Sequence, residues 1–197
     1  MKQLDIKDSQ PVYKYFLSCF LLTLPVMAWN ILLSNYLPRV FQPASFSQDI
    51  PDFLIYGENI SRTLLFGITL CMPLYISTQR QKRGIWLYIA GMLVYFASLL
   101  MLIYFPEGSW SSSIWGFMAP AYTPALWLTG IALAGNSFYF RRTYKPWMLI
   151  LISAIFLVFH NYHTYIVFCR SFFHNMTLML EEASGYTGVH IMSLHLG

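Results

Sequence analysis

Long runs of apolar residues are the feature that most constrains how this chain folds. A helix rises 1.5 Å per residue and a bilayer core is about 30 Å thick, so about 20 mostly apolar residues are needed to cross it. Segments that satisfy this requirement lie near residues 15–37, 60–78, 84–105, 119–140 and 147–169. We therefore predict an all-α, polytopic membrane protein, a bundle of five transmembrane helices that forms a single membrane domain over residues 1–197.

The composition excludes several other classes of protein. Hydrophobic residues make up 57% of the chain and charged residues only 10%, whereas soluble domains are about 25% charged. An ordinary soluble enzyme, a disordered chain and a nucleic-acid-binding module are excluded on this ground. The lipid bilayer is the partner that this composition predicts.

The charged residues predict an orientation, because cytoplasmic segments of membrane proteins are enriched in Lys and Arg. Nine of the twelve basic residues fall on one side of the predicted bundle: Lys2, Lys7, Lys14, Arg80, Lys82, Arg83, Arg141, Arg142 and Lys145. Six of the eight acidic residues fall on the other side: Asp49, Asp52, Glu58, Glu107, Glu181 and Glu182. We predict a multi-pass protein of the cell (cytoplasmic) membrane with its N-terminus in the cytoplasm and its C-terminus outside.

The outer loop 38–59 contains several apolar side chains and is not a simple linker. Pro51 is suited to open a helix, and Asp52 in the first turn suits the helix dipole. This pattern predicts a short outer helix at the membrane interface that leads into the second span. The C-terminal tail 170–197 shows no pattern that predicts a definite structure.

Small residues in the fourth span predict a close helix–helix contact. Gly130 and Ala134 form a small-x-x-x-small pair, which allows two helices to approach closely. The pair is interpreted as a surface for internal packing, with a protein partner or homo-oligomer through Gly130 and Ala134 as the alternative.

Polar groups within or next to the predicted spans point to one outward-facing pocket. His160 lies 13 residues beyond Trp147, which places it roughly 20 Å from the inner interface. His163 is about one turn further out on the same helix face, and Glu58 precedes Arg62 by four residues, as in a helical ion pair. The predicted pocket residues are Asn30, Glu58, Arg62, Tyr122, His160 and His163.

Three interpretations of the histidine pair remain open. His160 and His163 would form a metal site with Glu58 as the third ligand, although the H-E-x-x-H motif is absent. One histidine would serve as an axial haem ligand, since two on one turn cannot bind opposite faces of a haem. The third interpretation is a hydrogen-bonded or pH-responsive polar pair. Glu58 and Arg62 are interpreted as an interfacial ion pair, or Arg62 as the group that holds an anion beside proton-transferring histidines.

No motif in the chain specifies a reaction or a cofactor. A nucleophile elbow, a P-loop and a dinucleotide fingerprint are missing. Cys19, Cys71 and Cys169 have no zinc or redox spacing and are interpreted as buried thiols that act as small apolar groups. We therefore predict a non-enzymatic accessory or assembly subunit. The alternatives are a membrane-embedded metal-binding protein or enzyme that uses the polar pocket, and a small transporter or channel subunit.

Overall fold

The computed structural model describes residues 18–140 and 144–194, and these residues form helices and no β-strands. The helices are α1 (Leu24–Leu33), α2 (Pro43–Phe46), α3 (Asp52–Leu70), α4 (Gln79–Tyr104), α5 (Ile114–Phe117), α6 (Ala119–Tyr122), α7 (Pro124–Ala134) and α8 (Pro146–Leu194). Two 3₁₀-helices, Cys19–Leu22 and Arg39–Phe41, precede α1 and α2 respectively. The prediction of an all-α fold is confirmed over this part of the chain.

Helix α4 begins at a capping box that also connects it to α7. The Thr78 hydroxyl accepts a hydrogen bond from the Gln81 backbone N–H, and the Gln81 side chain accepts one from the Thr78 N–H. Gln81 is fully buried, and its Nε2 donates to the carbonyl oxygens of Tyr75 at 2.6 Å and Ala134 at 2.9 Å. A single side chain therefore stabilises the start of α4 and the end of α7, because it satisfies groups that a helix end leaves unpaired.

Helices α4 and α7 pack with their backbones in close contact at glycines. A Cβ atom added to Gly130 would lie 2.5 Å from the backbone nitrogen of Tyr88, and one added to Gly91 would lie 2.5 Å from that of Trp127. Gly130 and Ala134 are buried against α4. Within the described chain, this surface is an internal packing surface; a homo-oligomer through the same pair stays a prediction.

Backbone hydrogen bonds join several connecting segments at one end of the bundle. At this end, the Cys19 N–H donates to Met72 and the Tyr139 N–H donates to Cys71. Arg80, one of the predicted cytoplasmic basic residues, donates from its guanidinium to the Gly135 carbonyl at 3.0 Å. Residues 18–19, 71–81 and 134–139 therefore lie together at this end of the bundle.

The other end of the bundle is built from aromatic side chains. The Phe117 ring lies 4.6 Å from the Phe41 ring and 5.3 Å from the Phe168 ring, measured between centroids. Ile50 and Leu54 are buried in the same cluster. This cluster brings residues 38–51, the first part of the predicted outer loop, onto α5 and α8.

Several of the expected spans differ from the observed helices. The first, expected over 15–37, contains the 3₁₀-helix Cys19–Leu22 and the ten-residue α1 (Leu24–Leu33) instead of one continuous helix. The helix expected over 60–78 is α3, which begins at Asp52 and ends at Leu70. The predicted start at Pro51 and Asp52 is confirmed, but it opens the long helix itself and not a separate interfacial helix. The segment expected over 119–140 is divided into α6 and α7 at Thr123, because Pro124 lacks the N–H that would continue the helix. Helix α7 then ends at Ala134, before Gly135.

The last helix is longer than expected. Helix α8 begins at Pro146, one residue before the expected start, and continues to Leu194 instead of ending near Cys169. The tail, for which the sequence predicted no definite structure, is therefore helical as far as Leu194. The three cysteines are free: Cys19 is buried, and Cys71 and Cys169 are half-buried.

Two of the described helical segments, Gln79–Tyr104 and Pro146–Phe173, are long and apolar enough to cross a membrane. A third apolar segment, Cys19–Leu33, is shorter. Five crossings are therefore not established by helix length and composition, although a membrane location is indicated by the two long helices.

Candidate polar site and cavity

The Glu58 carboxylate is the centre of a buried polar cluster between α3 and α8. Its Oε1 accepts from the Arg62 guanidinium, one turn further along α3. Nδ1 of His160 lies 3.1 Å from Oε1, and Nδ1 of His163 lies 2.8 Å from Oε2. The side chains of Glu58 and His163 are only 6% and 5% exposed, whereas that of Arg62 is 41% exposed.

Local sequence explains why these groups converge. The i, i+4 spacing places Glu58 and Arg62 on one face of α3, and the i, i+3 spacing places both histidines on one face of α8. The His160 ring stacks on Phe156 with 5.3 Å between centroids, and Arg62 lies over the same Phe156 ring at 5.7 Å. The Phe156 ring therefore packs against both the His160 imidazole and the Arg62 guanidinium.

His163 also connects the cluster to the outer loop. Its Nε2 donates to the Phe46 carbonyl at 3.1 Å, and its ring lies 4.4 Å from the Phe46 ring. Seven residues further along α8, Arg170 donates to the carbonyl oxygens of Ser45 and Gln48. These bonds hold the end of α2 against α8, so residues 38–51 cover this side of the bundle.

A cavity of about 530 Å³ lies beside the cluster, within the range that small-molecule sites occupy. Its walls are mostly apolar and are contributed by α1, α3, α4, α7 and α8. Representative wall residues are Val26, Leu65, Leu99, Leu128 and Phe156. Phe41 and Phe46 line it from the outer loop, and Ile31, which lines it and is 71% exposed, marks an open side.

The cavity has one polar edge, and some of the hydrogen-bond donors there are not bonded to an acceptor in the described chain. Asn30, Arg62, Tyr95 and His160 all line it. The Tyr95 hydroxyl donates to Asn30 Oδ1 at 2.6 Å, which leaves the Asn30 amide N–H groups facing no acceptor in the described chain. Arg62 uses one of its nitrogens on Glu58. An apolar chamber with a donor-rich edge is suited to a molecule with one polar end.

The structure brings most of the sequence-predicted pocket residues to this place: Asn30, Arg62 and His160 on the cavity wall, with Glu58 and His163 bonded directly behind them. Tyr122 is separate. Its hydroxyl donates to the Trp115 carbonyl at 3.1 Å, and it does not line the cavity, although its neighbours Pro120 and Ala121 do.

The donor set does not form a metal site among the described residues, where no three His, Cys, Asp or Glu side chains are arranged to hold an ion. The reason is visible in the hydrogen bonds. Nδ1 of each histidine faces a different oxygen of Glu58, and Nε2 of His163 donates to a carbonyl and has no lone pair to offer. The hydrogen-bonded interpretation of the histidine pair is the one that this geometry favours.

Sequence reasoning missed two contributors to the site. Tyr95 lies in the middle of an apolar segment. Its hydroxyl could have indicated a polar contact there, because a buried tyrosine needs a hydrogen-bond partner. Phe46 contributes a backbone carbonyl and a ring, and no residue pattern predicts such a contact.

Comparison of the chain with protein-family models, with curated proteins and with solved structures finds no match. The site geometry is therefore the basis on which a function is assigned.

Proposed function

We propose that this chain is a multi-pass, non-enzymatic membrane protein that binds an amphipathic molecule, in the manner of an accessory protein. The observation that carries the proposal is the cavity, in which apolar walls meet the donor-rich edge of Asn30, Arg62 and His160. An apolar chain would replace water along the walls, and a polar group would accept from the edge.

The exposed surface supports a membrane location. Only 39% and 22% of the most apolar stretches of α4 and α8 are buried. Leu93 is 64% exposed and Val158 is 67% exposed. The core helix of a soluble protein hides such residues, whereas lipid tails receive them without penalty.

Five crossings remain our proposal for the topology. Helix α3 contains 19 residues, which corresponds to about 28 Å of helix. Residues 114–134 form three consecutive helical pieces, and Cys19–Leu33 forms an apolar segment. Kinked or broken helices are tolerated in a membrane where they are buried in protein or line a cavity, as Pro120 and Pro124 do here.

The topology predicts an asymmetric pattern of thiol labelling. In a background in which the three cysteines are replaced by serine, Ser112→Cys is expected to react with a membrane-impermeant maleimide in intact cells. Lys82→Cys is expected to react only after permeabilisation, because it lies on the predicted cytoplasmic side; both positions are exposed. The reverse pattern would show the opposite orientation, and equal labelling in intact cells would contradict a crossing between them.

Binding is tested by narrowing the cavity without touching its polar edge. Ile31→Trp is expected to weaken binding of a fluorescent single-chain amphiphile by about tenfold, because the indole would occupy the open side. Leu32→Trp is the matched control: it is 67% exposed, against 71% for Ile31, but does not line the cavity. The measurement is a fluorescence titration of purified full-length chain in neutral detergent. Equal affinities for the two variants and the unmodified chain would contradict binding in this cavity.

A further inference from the structure

The hydrogen-bond pattern around His163 determines how many protons the polar cluster holds. A carbonyl oxygen only accepts, so the bond to Phe46 requires a hydrogen on Nε2 of His163. The 2.8 Å contact between Nδ1 and Glu58 Oε2 then requires one further proton between these two atoms. Whether that proton is on the imidazole or on the carboxyl, Glu58 and His163 together carry no net charge.

The positive charge of Arg62 is therefore not compensated inside the cluster. The guanidinium stays protonated in proteins, and the carboxylate beside it is neutralised through His163. His160 does not change this result, because Oε1 of Glu58 accepts in either state and Nδ1 of His160 therefore donates. Neutral His160 leaves the charge of the four side chains at one positive unit, and protonated His160 would increase it.

No described acidic side chain other than Glu58 forms an ion pair with Arg62. Arg62 lines the mostly apolar cavity and its side chain is 41% exposed, so its excess positive charge is accessible to a guest. Asn30 lines the same cavity, and its amide N–H groups bond to no acceptor in the described chain. The edge therefore has one positive charge and several donors available to a guest.

We infer that the cavity selects an amphiphile whose polar end is an anion, bound by the Arg62 guanidinium and the Asn30 amide with its apolar chain along Leu65, Leu99 and Leu128. This inference rests on the proposed binding function and adds the charge of the guest. Carboxylate and phosphate ends share the chemistry, because both offer oxygen acceptors to the fork of a guanidinium.

The test compares headgroups on one alkyl chain. Dodecanoate, dodecyl phosphate, dodecanol and dodecyltrimethylammonium are titrated against the purified full-length chain in neutral detergent by displacement of a fluorescent amphiphile. At least one of the two anions is expected to bind about tenfold or more tighter than dodecanol, as a charged hydrogen bond would give. The cation is expected to bind weakest. The ranking of dodecanoate against dodecyl phosphate distinguishes a fatty-acid-like guest from a phospholipid-like one.

Variants identify the residue responsible for the preference. Arg62→Gln is expected to lower the affinity for the anions to about that for dodecanol, and Arg62→Lys is expected to retain part of the preference. Arg39→Gln, an exposed arginine of the outer loop that does not line the cavity, is expected to change nothing.

The outcomes separate this inference from the proposed function. Equal binding of anions and dodecanol to the unmodified chain would overturn the inference and leave amphiphile binding intact. A preference that persists in Arg62→Gln would also overturn it. Failure of all four compounds to bind would overturn the binding function and the inference together.

Discussion

Gly130→Ala is expected to loosen the contact between α7 and α4 and to lower the stability of the chain by about 2 kcal/mol. The added Cβ would lie 2.5 Å from the nitrogen and 2.6 Å from the Cα of Tyr88. Both are backbone atoms and cannot rotate away, so one helix must shift. The shift would also disturb the Gln81 bond to Ala134, four residues further along α7. The measurement is thermal unfolding in detergent, followed by tryptophan fluorescence.

Gly67→Ala is the matched control for this substitution. Gly67 also lies inside a helix, but a Cβ placed there meets no atom within 4 Å. Alanine is favoured over glycine in helices by about 0.5–1 kcal/mol, so this variant is expected to be unchanged or slightly more stable. If Gly130→Ala keeps its stability and changes the oligomeric state instead, the glycine contributes to an interface between copies of the chain.

Glu58→Gln is expected to have the largest effect of any substitution in the polar cluster. The amide keeps the shape of the carboxyl but carries no charge, so its oxygen binds Arg62 and His160 more weakly, and its NH₂ group can meet His163 only as a donor. Removal of one partner from a buried charged pair costs about 3–5 kcal/mol. We expect about 3 kcal/mol, because Arg62 is 41% exposed and solvent screens part of the loss.

Two further variants distinguish a charge effect from a packing effect. Glu58→Leu combined with Arg62→Leu removes both charges and is expected to recover part of the lost stability, since apolar replacement of an ion pair is often tolerated. Asp52→Asn, an exposed acidic residue in the first turn of the same helix, is expected to cost less than about 1 kcal/mol. A Glu58→Gln protein as stable as Asp52→Asn in the same unfolding measurement would contradict the central role assigned to Glu58.

Helix positions were predictable where strong local signals exist. Pro51 and Asp52 marked the beginning of α3, and the long apolar run over 84–105 corresponds closely to α4. The end of α3 was misplaced because residues 71–78 are apolar enough to resemble a span, while Pro73 and the Thr78 cap stop and restart the helix. Apolar composition alone does not distinguish a helix from a non-helical segment such as residues 73–77.

The residue pairs that form the polar site on each helix were predictable, whereas the contacts between the helices were less predictable. Helical spacing placed Glu58 with Arg62, and His160 with His163, because each pair is separated by about one turn. Depth along the helices suggested that the two pairs meet. Tyr122 satisfied the same depth argument, yet its hydroxyl bonds to Trp115. Depth specifies a level in the bundle and not the direction in which a side chain points.

The amino-acid sequence by itself determined the all-α class, the apolar segments and the separation of basic from acidic residues. These properties depend on how each residue partitions between lipid and water and on the repeat of the helix, which are local. The tertiary structure alone decided that Gly130 packs on Tyr88 and that His163 bridges Glu58 and the Phe46 carbonyl. It also decided that a cavity remains beside Arg62. Glu58 and His163 are 105 residues apart, and such contacts follow from the packing of all the helices together.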